Sequence, residues 1–339
     1  MEQVLGKELV EKLIGENGLF LVPNDDYYEL DGIPFPTHLV PPSTLEAMKT
    51  WQARPDDAFI ITYPKAGTTW TQEILSAICN DGDLSKLSLS HTFLRVPFME
   101  AHMFTSTESV VYLQDIKVPE TYEIVDKMKS PRTIKSHLPG HLLPPDVMKK
   151  KSRVVYVARN PKDLAVSYFH FHNTVPSLHS YSSWEEYFED FRSGKVYCGP
   201  WWDHYLYYWN RRHGPNILFL KYEEMIRDLK SVVIKIMTFL GYTFSDDVIA
   251  KIVDHCTFAN MKKNPMANPN ELIDQQRAVL ARKINKSTDE IKEEEKSAQP
   301  FMRKGIVGDW MTHFTVAQNE VMEAHIQEKM VGSGLIFDY

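Results

Sequence analysis

The sequence holds 3 cysteines in 339 residues, Cys79, Cys198 and Cys256, and no CxxC pair. That leaves no disulfide framework and no thiolate zinc site, and it suits a reducing compartment. Positive charge is not in excess: 38 Lys plus Arg stand against 45 Asp plus Glu, a net charge of −7. Sequence-independent binding of nucleic acid needs a dense basic surface, so that class is excluded. A small polyanion needs only a local cluster of Lys and Arg. No apolar run approaches the ~20 residues of a membrane span. Glu2, Lys7, Glu8, Glu11 and Lys12 interrupt the N-terminus and leave no apolar core for a signal peptide. The expectation is a cytoplasmic protein without a membrane partner. The sequon Asn285-Lys286-Ser287 is read as chance on the same ground. Repeats and low-complexity tracts are also missing. With 43% hydrophobic and 24% charged residues, the chain has the composition of a globular protein with a sizeable core.

Against that background four short apolar runs stand out: Ala58–Tyr63, Arg132–His137, Arg153–Arg159 and Asn216–Tyr222. They lack strict alternation, as strands buried on both faces do. A helix is expected over Thr68–Cys79, straight after the first run. Asn160 and Pro161 read as N-cap and first residue of another, running toward His172. Met225, Leu229, Val232, Ile236 and Leu240 recur at helical spacing, closed by Gly241. Ser245 can cap a further helix that buries Val248, Ile249, Ile252 and Val253. Strands alternating with helices make the fold class α/β, with a central, mostly parallel sheet flanked by helices in a single domain. Residues 1–30 read as an N-terminal extension and 31–339 as the domain. Residues 282–296 mix five basic and five acidic groups, and Ser287 with Glu290 makes a capping-box pattern for a short exposed helix.

The chemistry concentrates first in Thr62-Tyr63-Pro64-Lys65-Ala66-Gly67-Thr68-Thr69-Trp70. A strand that turns straight into a helix aims free N–H groups and the helix dipole at one point, which binds phosphate. Gly67 lets the backbone approach, Thr68 and Thr69 add hydroxyls, and Lys65 adds a mobile charge. The block is P-loop-like but not a Walker A loop, which needs GxxxxGK[ST]; here the Lys precedes the Gly. Lys135 and His137 lie two apart on a strand and so share a face. Arg159 ends the next strand, where a guanidinium can fork onto phosphate. His170, Phe171 and His172 form no metal motif, because i and i+2 on a helix do not face one ion. The stretch Tyr197–Trp209 reads as core and pocket wall rather than a base-stacking platform.

Tyr63-Pro64-Lys65-Ala66-Gly67-Thr68-Thr69-Trp70 resembles the 5′-phosphosulfate loop of the cytosolic sulfotransferases. Lys135-Ser136-His137-Leu138-Pro139 is similar to that family's catalytic-histidine segment, and Tyr156 through Tyr168 to its 3′-phosphate strand and helix. Met261–Met266 and Phe301–Gly305 with Gly308-Asp309-Trp310 resemble its last two blocks. All stand in the family's order across roughly residues 58–320.

The resemblance implies transfer of a sulfuryl group from 3′-phosphoadenosine 5′-phosphosulfate (PAPS), leaving PAP, with no metal. It implies His137 as general base, Lys65 at the leaving oxygen and Lys135 on the sulfuryl oxygens. The donor contacts it implies are Lys65, Ala66, Gly67, Thr68, Thr69, Trp70, Arg159, Ser167, Tyr222, Thr257, Phe258, Arg303, Lys304 and Gly305. Phe98 and Phe171 match positions that gate the acceptor pocket beside His137. The implied acceptor is a small hydrophobic phenol or alcohol, with an amine next.

Some positions depart from the family pattern. Ala66 stands where many relatives have Ser, and Cys256 replaces a commoner Thr. The segment Thr315–Glu320 resembles the family's homodimer patch, but Met311 stands where Lys is expected. The stretches 100–130 and 268–299 look longer than usual. A same-fold dehydratase working through a transient sulfate ester, and a non-catalytic nucleotide-binding protein, are the alternatives; a P-loop kinase lacks its Lys and a clear Walker B carboxylate.

Overall fold

The four apolar runs do form one sheet. The computed structural model describes residues 26–102, 120–149, 152–175, 178–283 and 299–338. A hairpin, β1 (Tyr27–Leu30) and β2 (Ile33–Pro36), comes first. The central strands follow: β3 (Ala58–Thr62), β4 (Thr133–Ser136), β5 (Arg153–Ala158) and β6 (Ile217–Lys221). They are all parallel, in the order β4-β3-β5-β6. The residues 1–25, with most of the expected N-terminal extension, lie outside the described residues, as do 103–119 and the Ser287–Glu290 pattern.

Side chains alternate between two cores. Phe59, Ile61, Ile134, Val154, Tyr156 and Ala158 face one, which the helices Pro161–His172, Trp184–Ser193 and Trp201–Trp209 cover. Ala58, Ile60, Val155, Val157 and Leu220 face the other, under the helices Thr68–Cys79, Leu229–Leu240 and Asp246–His255. Burial on both faces is why the strands read as apolar runs. The aromatic stretch is core: Tyr208 stacks on Tyr156 with centroids 4.2 Å apart, and Trp201 and Tyr205 are fully buried. At the lower end of the sheet the buried Arg132 forks onto Asp57, with Nε and Nη2 donating over 2.7 and 2.5 Å.

The helices at Thr68–Cys79 and Pro161–His172 match their expected bounds, and the Asn160 side chain accepts from the Lys162 N–H over 2.9 Å. The helix expected through Met225–Leu240 is broken. Asp228 leaves the helical region, at φ −149° and ψ 80°, and caps the second half by accepting from Ser231 N–H, so the elements are Tyr222–Arg227 and Leu229–Leu240. Ser245 sits at its N-cap position but its hydroxyl makes no cap hydrogen bond; beyond it Ile249 and Ile252 are buried, Val248 and Val253 only half-buried. The stretch from Asn268 opens with a helix, Asn270–Lys283.

In an open α/β sheet ligands sit beyond the carboxyl ends of the strands where the strand order reverses. Here that point is the top of β3, flanked by β4 and β5. Lys65, His137, Arg159 and Tyr222 follow or end the four successive strands, so the topology alone converges them.

Candidate functional site

The loop after β3 turns tightly, with Ala66 N–H donating to Tyr63 O over 3.2 Å, and Lys65 at φ 70° and Gly67 at φ 113°. A side chain at Gly67 would be strained there, and its Cβ would come 3.1 Å from the Tyr222 ring. The helix that follows has no side-chain cap, so the orphan N–H groups of its first turn remain for a ligand. Gly67, Thr68, Thr69 and Trp70 line a cavity of about 200 Å³. The Thr68 hydroxyl also meets the Thr62 hydroxyl at 2.7 Å. Ala66 is fully buried and does not line the cavity.

Lys65 Nζ lies 3.8 Å from the Phe301 ring centroid and 4.5 Å from that of Phe171. Burial, then the charges of Arg159, Lys135 and Arg303, push its pKa down to about 7. Lys135 Nζ sits 3.9 Å over the Phe98 ring, and burial lowers its pKa too. Phe98 and Phe171 thus each carry one of the two lysines, and Phe98 also packs edge-on against His137, centroids 5.0 Å apart.

His137 follows β4 directly. Its Nδ1 is 2.7 Å from the Thr62 carbonyl, which can only accept, so Nδ1 carries the proton and Nε2 is left as the basic nitrogen. Its backbone N–H donates to Glu100 Oε1 over 2.6 Å, and its carbonyl accepts from His204 Nε2 over 3.1 Å. Burial first, then Lys135, holds its pKa well below the usual histidine range.

Arg159 Nη1 donates to Lys65 O over 3.2 Å and Nη2 to Ile306 O over 3.3 Å, while Nε is buried with no partner. Ser167, Arg303, Lys304 and Gly305 line the same end of the cavity. Arg303 and Lys304 both pair with Asp309, whose carboxyl they hold at about 2 against its burial. Asp163 accepts the N–H groups of Gly308 and Trp310 over 2.7 and 2.9 Å and so fixes the following turn.

Trp70 donates its indole N–H to Cys256 O over 2.7 Å and meets Tyr222 edge-on. Phe258 lies against Gly305, where an added Cβ would come 2.4 Å from the ring. Thr257 is not brought to the cavity: its hydroxyl donates to Asp254 O and caps the helix Phe258–Lys263. The rest of the wall is apolar, including Leu39, Phe93, Val175, Leu178 and Leu272.

Sequence reasoning gave no role to Phe301, Asp309 or Glu100, whereas Tyr197 opens the stretch read as core and pocket wall and does line the cavity. Glu100 carried a signal, a lone charge inside Val96-Pro97-Phe98-Met99-Glu100-Ala101. Asp309 stood in a block already singled out, without a partner to suggest its role. Among the described residues no group of three or more His, Cys, Asp or Glu could hold a metal ion. His170 and His313 do meet, Nε2 to Nε2 at 3.0 Å, but as a pair. No described helix is long and apolar enough to cross a membrane.

The model of the sulfotransferase domain family matches residues 55–334. Sulfotransferase 1E1 of Bos taurus is 38% identical over 313 residues, 92% of this chain and 96% of that protein. Sulfotransferase 1 family member D1 of Rattus norvegicus is 41% identical over 86% of this chain and 88% of its own length. Among solved structures, mouse sulfotransferase SULT7A1 complexed with PAP superposes with a TM-score of 0.67 at 28% identity, covering 91% of this chain and 95% of that one. Retinol dehydratase with androsterone and PAP superposes with a TM-score of 0.75 at 25% identity, covering 98% and 96%. The chain belongs to the sulfotransferase family and is an enzyme of PAPS-dependent sulfuryl transfer.

Proposed function

We propose that this enzyme sulfates the hydroxyl of a small, neutral, hydrophobic acceptor, with His137 as general base. The observation that carries this reading is the free Nε2 of His137, fixed by the Thr62 carbonyl at the polar end of an apolar cavity.

The donor's fit is supported by charge and by an orphan group. Lys65, Arg159, Arg303 and Lys304 line the cavity against the carboxylate of Asp309, and the buried Nε of Arg159 lacks a partner. Such a surplus suits a ligand with two anionic groups. Lys65 and the Gly67–Trp70 backbone would hold its 5′ end. Arg159, Ser167, Arg303, Lys304 and Gly305 would hold the 3′-phosphate, and Trp70, Phe258 and Tyr222 the base. Bound PAPS supplies the sulfuryl group. His137 Nε2 takes the proton of the acceptor hydroxyl. Lys135 steadies charge on the group in transit, and Lys65 the charge that grows on the departing oxygen.

The same electrostatics rank the acceptors. Lys65 and Lys135 stand in the cavity wall, and Asp309, the carboxylate there, is already paired twice. A protonated amine would enter without a counter-ion, at high desolvation cost. Phenols and alcohols should therefore turn over faster than amines. A screen of phenols, steroids, amines and aliphatic alcohols with labelled PAPS tests this; activity confined to polysaccharide or protein acceptors would overturn it. The likeness to retinol dehydratase favours a second reading, elimination through a transient sulfate ester. A stable sulfate ester as the product excludes it.

Two further readings accompany this one. The chain pairs as a homodimer through Thr315–Glu320, supported by the exposure of Val316 within that segment and of Met311 before it. Light scattering at the monomer mass across micromolar concentrations would overturn it. The enzyme works in the cytoplasm, which three free cysteines support.

A further inference from the structure

Glu100 is fully buried beside the proposed catalytic pair. Its Oε1 accepts the backbone N–H of His137 over 2.6 Å, and its Oε2 has no hydrogen-bond partner. The segment before it brackets Lys135: Lys135 N–H donates to Pro97 O and Met99 N–H to Lys135 O, both over 2.9 Å. The segment therefore runs beside the end of β4 and sets its place.

A neutral amide could accept the His137 N–H equally well and at less cost of burial. A fully buried carboxylate, hydrogen-bonded by the His137 N–H and the Ser136 side chain, still calls for a charge to offset its burial. The groups around it supply one. Tyr197 and Cys198 precede the helix Trp201–Trp209, and Tyr208 lies on it; burial raises all three well above their ordinary range, so they stay neutral. Ser136 and His137 face Glu100 from β4 and its end, and His137 is held neutral. Lys135 is the cation within its electrostatic reach. Lys135 in turn faces His137, Lys65 and Cys198, so Glu100 is its one source of negative charge among these groups.

We infer that Glu100 is a positioning residue for this pair: it holds the His137 main chain by its hydrogen bond and keeps Lys135 protonated by its charge. Burial acts against both charges, raising the carboxyl pKa of Glu100 and lowering that of the Lys135 ammonium. Each charge offsets the cost of the other. The inference rests on reading Lys135 and His137 as the catalytic pair.

The two parts separate in two variants, assayed with PAPS and naphthol across a pH series. Glu100→Gln keeps an acceptor for the His137 N–H and removes the charge. Its kcat should lose activity on the alkaline side about one pH unit earlier than wild type, because Lys135 gives up its proton sooner. Below that limb, where Lys135 is still charged, its KM for PAPS should hold within about twofold. Glu100→Asp keeps the charge and shortens the reach. Its kcat should fall about tenfold with the alkaline limb in place, as a slightly displaced base costs rate and not charge.

An unshifted limb in an active Glu100→Gln overturns the inference. Should that variant not fold, an alkaline limb displaced in Glu100→Asp overturns it instead. If His137→Ala and Lys135→Ala both turn over at the wild-type rate, the catalytic reading itself falls; if both are dead while the limb stays put, only the role of Glu100 does.

Discussion

A histidine serves as a base only with one ring nitrogen free, and the Thr62 carbonyl settles which nitrogen of His137 that is. His137→Ala removes the proposed base but none of the proposed phosphate donors. PAP binding should persist in calorimetry while kcat falls about 10²–10⁴-fold. An acceptor already ionised at assay pH, such as an acidic nitrophenol, should recover much of that loss; equal losses with both acceptors would mean that His137 does not take the proton. The pH profile follows from the sign of the shift. A base with a lowered pKa stays unprotonated as pH falls through the ordinary histidine value, so activity should hold there and drop only further into acid. The residue type and the Lys-x-His spacing were legible in the sequence. The tautomer was not, because it depends on a carbonyl 75 residues away that the sheet register brings near. Thr257 stays out of the cavity lining for a local reason: a Thr ahead of a helix is a natural N-cap, and its hydroxyl is used there.

Elements were legible where local chemistry agreed with burial. The four strands showed because parallel strands covered on both faces are apolar throughout. Asn160-Pro161 showed because cap chemistry is local. The break at Asp228 did not, because apolar spacing continues across it from Met225 to Leu229 and Val232. The helix Asn270–Lys283 did not either, since Asn270-Glu271 through Gln275-Gln276-Arg277 reads as polar loop. Between elements, the turn Arg303–Asp309 depends on Gly305, at φ 65° with the Phe258 ring against it. Gly305→Ala should push that ring or the turn aside while leaving the two helices at the sheet top intact. PAP affinity should fall about tenfold or more, the scale of a lost charge-assisted contact, with circular dichroism unchanged. Wild-type affinity would show that the turn absorbs the methyl group and that Phe258 has no fixed place at the base.

The whole molecule carries a net charge of −7, yet one end of its sheet gathers Lys65, Lys135, Arg159, Arg303 and Lys304. Composition offers no dense basic surface but leaves room for a local cluster; the strand order β4-β3-β5-β6 brings Lys65, Lys135 and Arg159 together, and the turn that Asp163 holds adds Arg303 and Lys304. The cluster repels itself. Lys65 is held near a pKa of about 7 by burial and by three neighbouring cations, so near neutral pH a sizeable fraction of it is uncharged. A bound phosphate reverses the sign of that field and draws the missing proton in. Binding of PAP should therefore take up protons, and affinity should decline as pH rises above about 7, by up to tenfold per unit for each proton taken up. The effect is absent well below that pH, where Lys65 is already charged. Calorimetry at about pH 8 in two buffers of different ionisation enthalpy reads the proton count directly, and Lys65→Arg, which stays charged throughout, should abolish most of the uptake. Binding with no proton uptake in wild type would mean that Lys65 is charged before the ligand arrives and that the cations are not in tension.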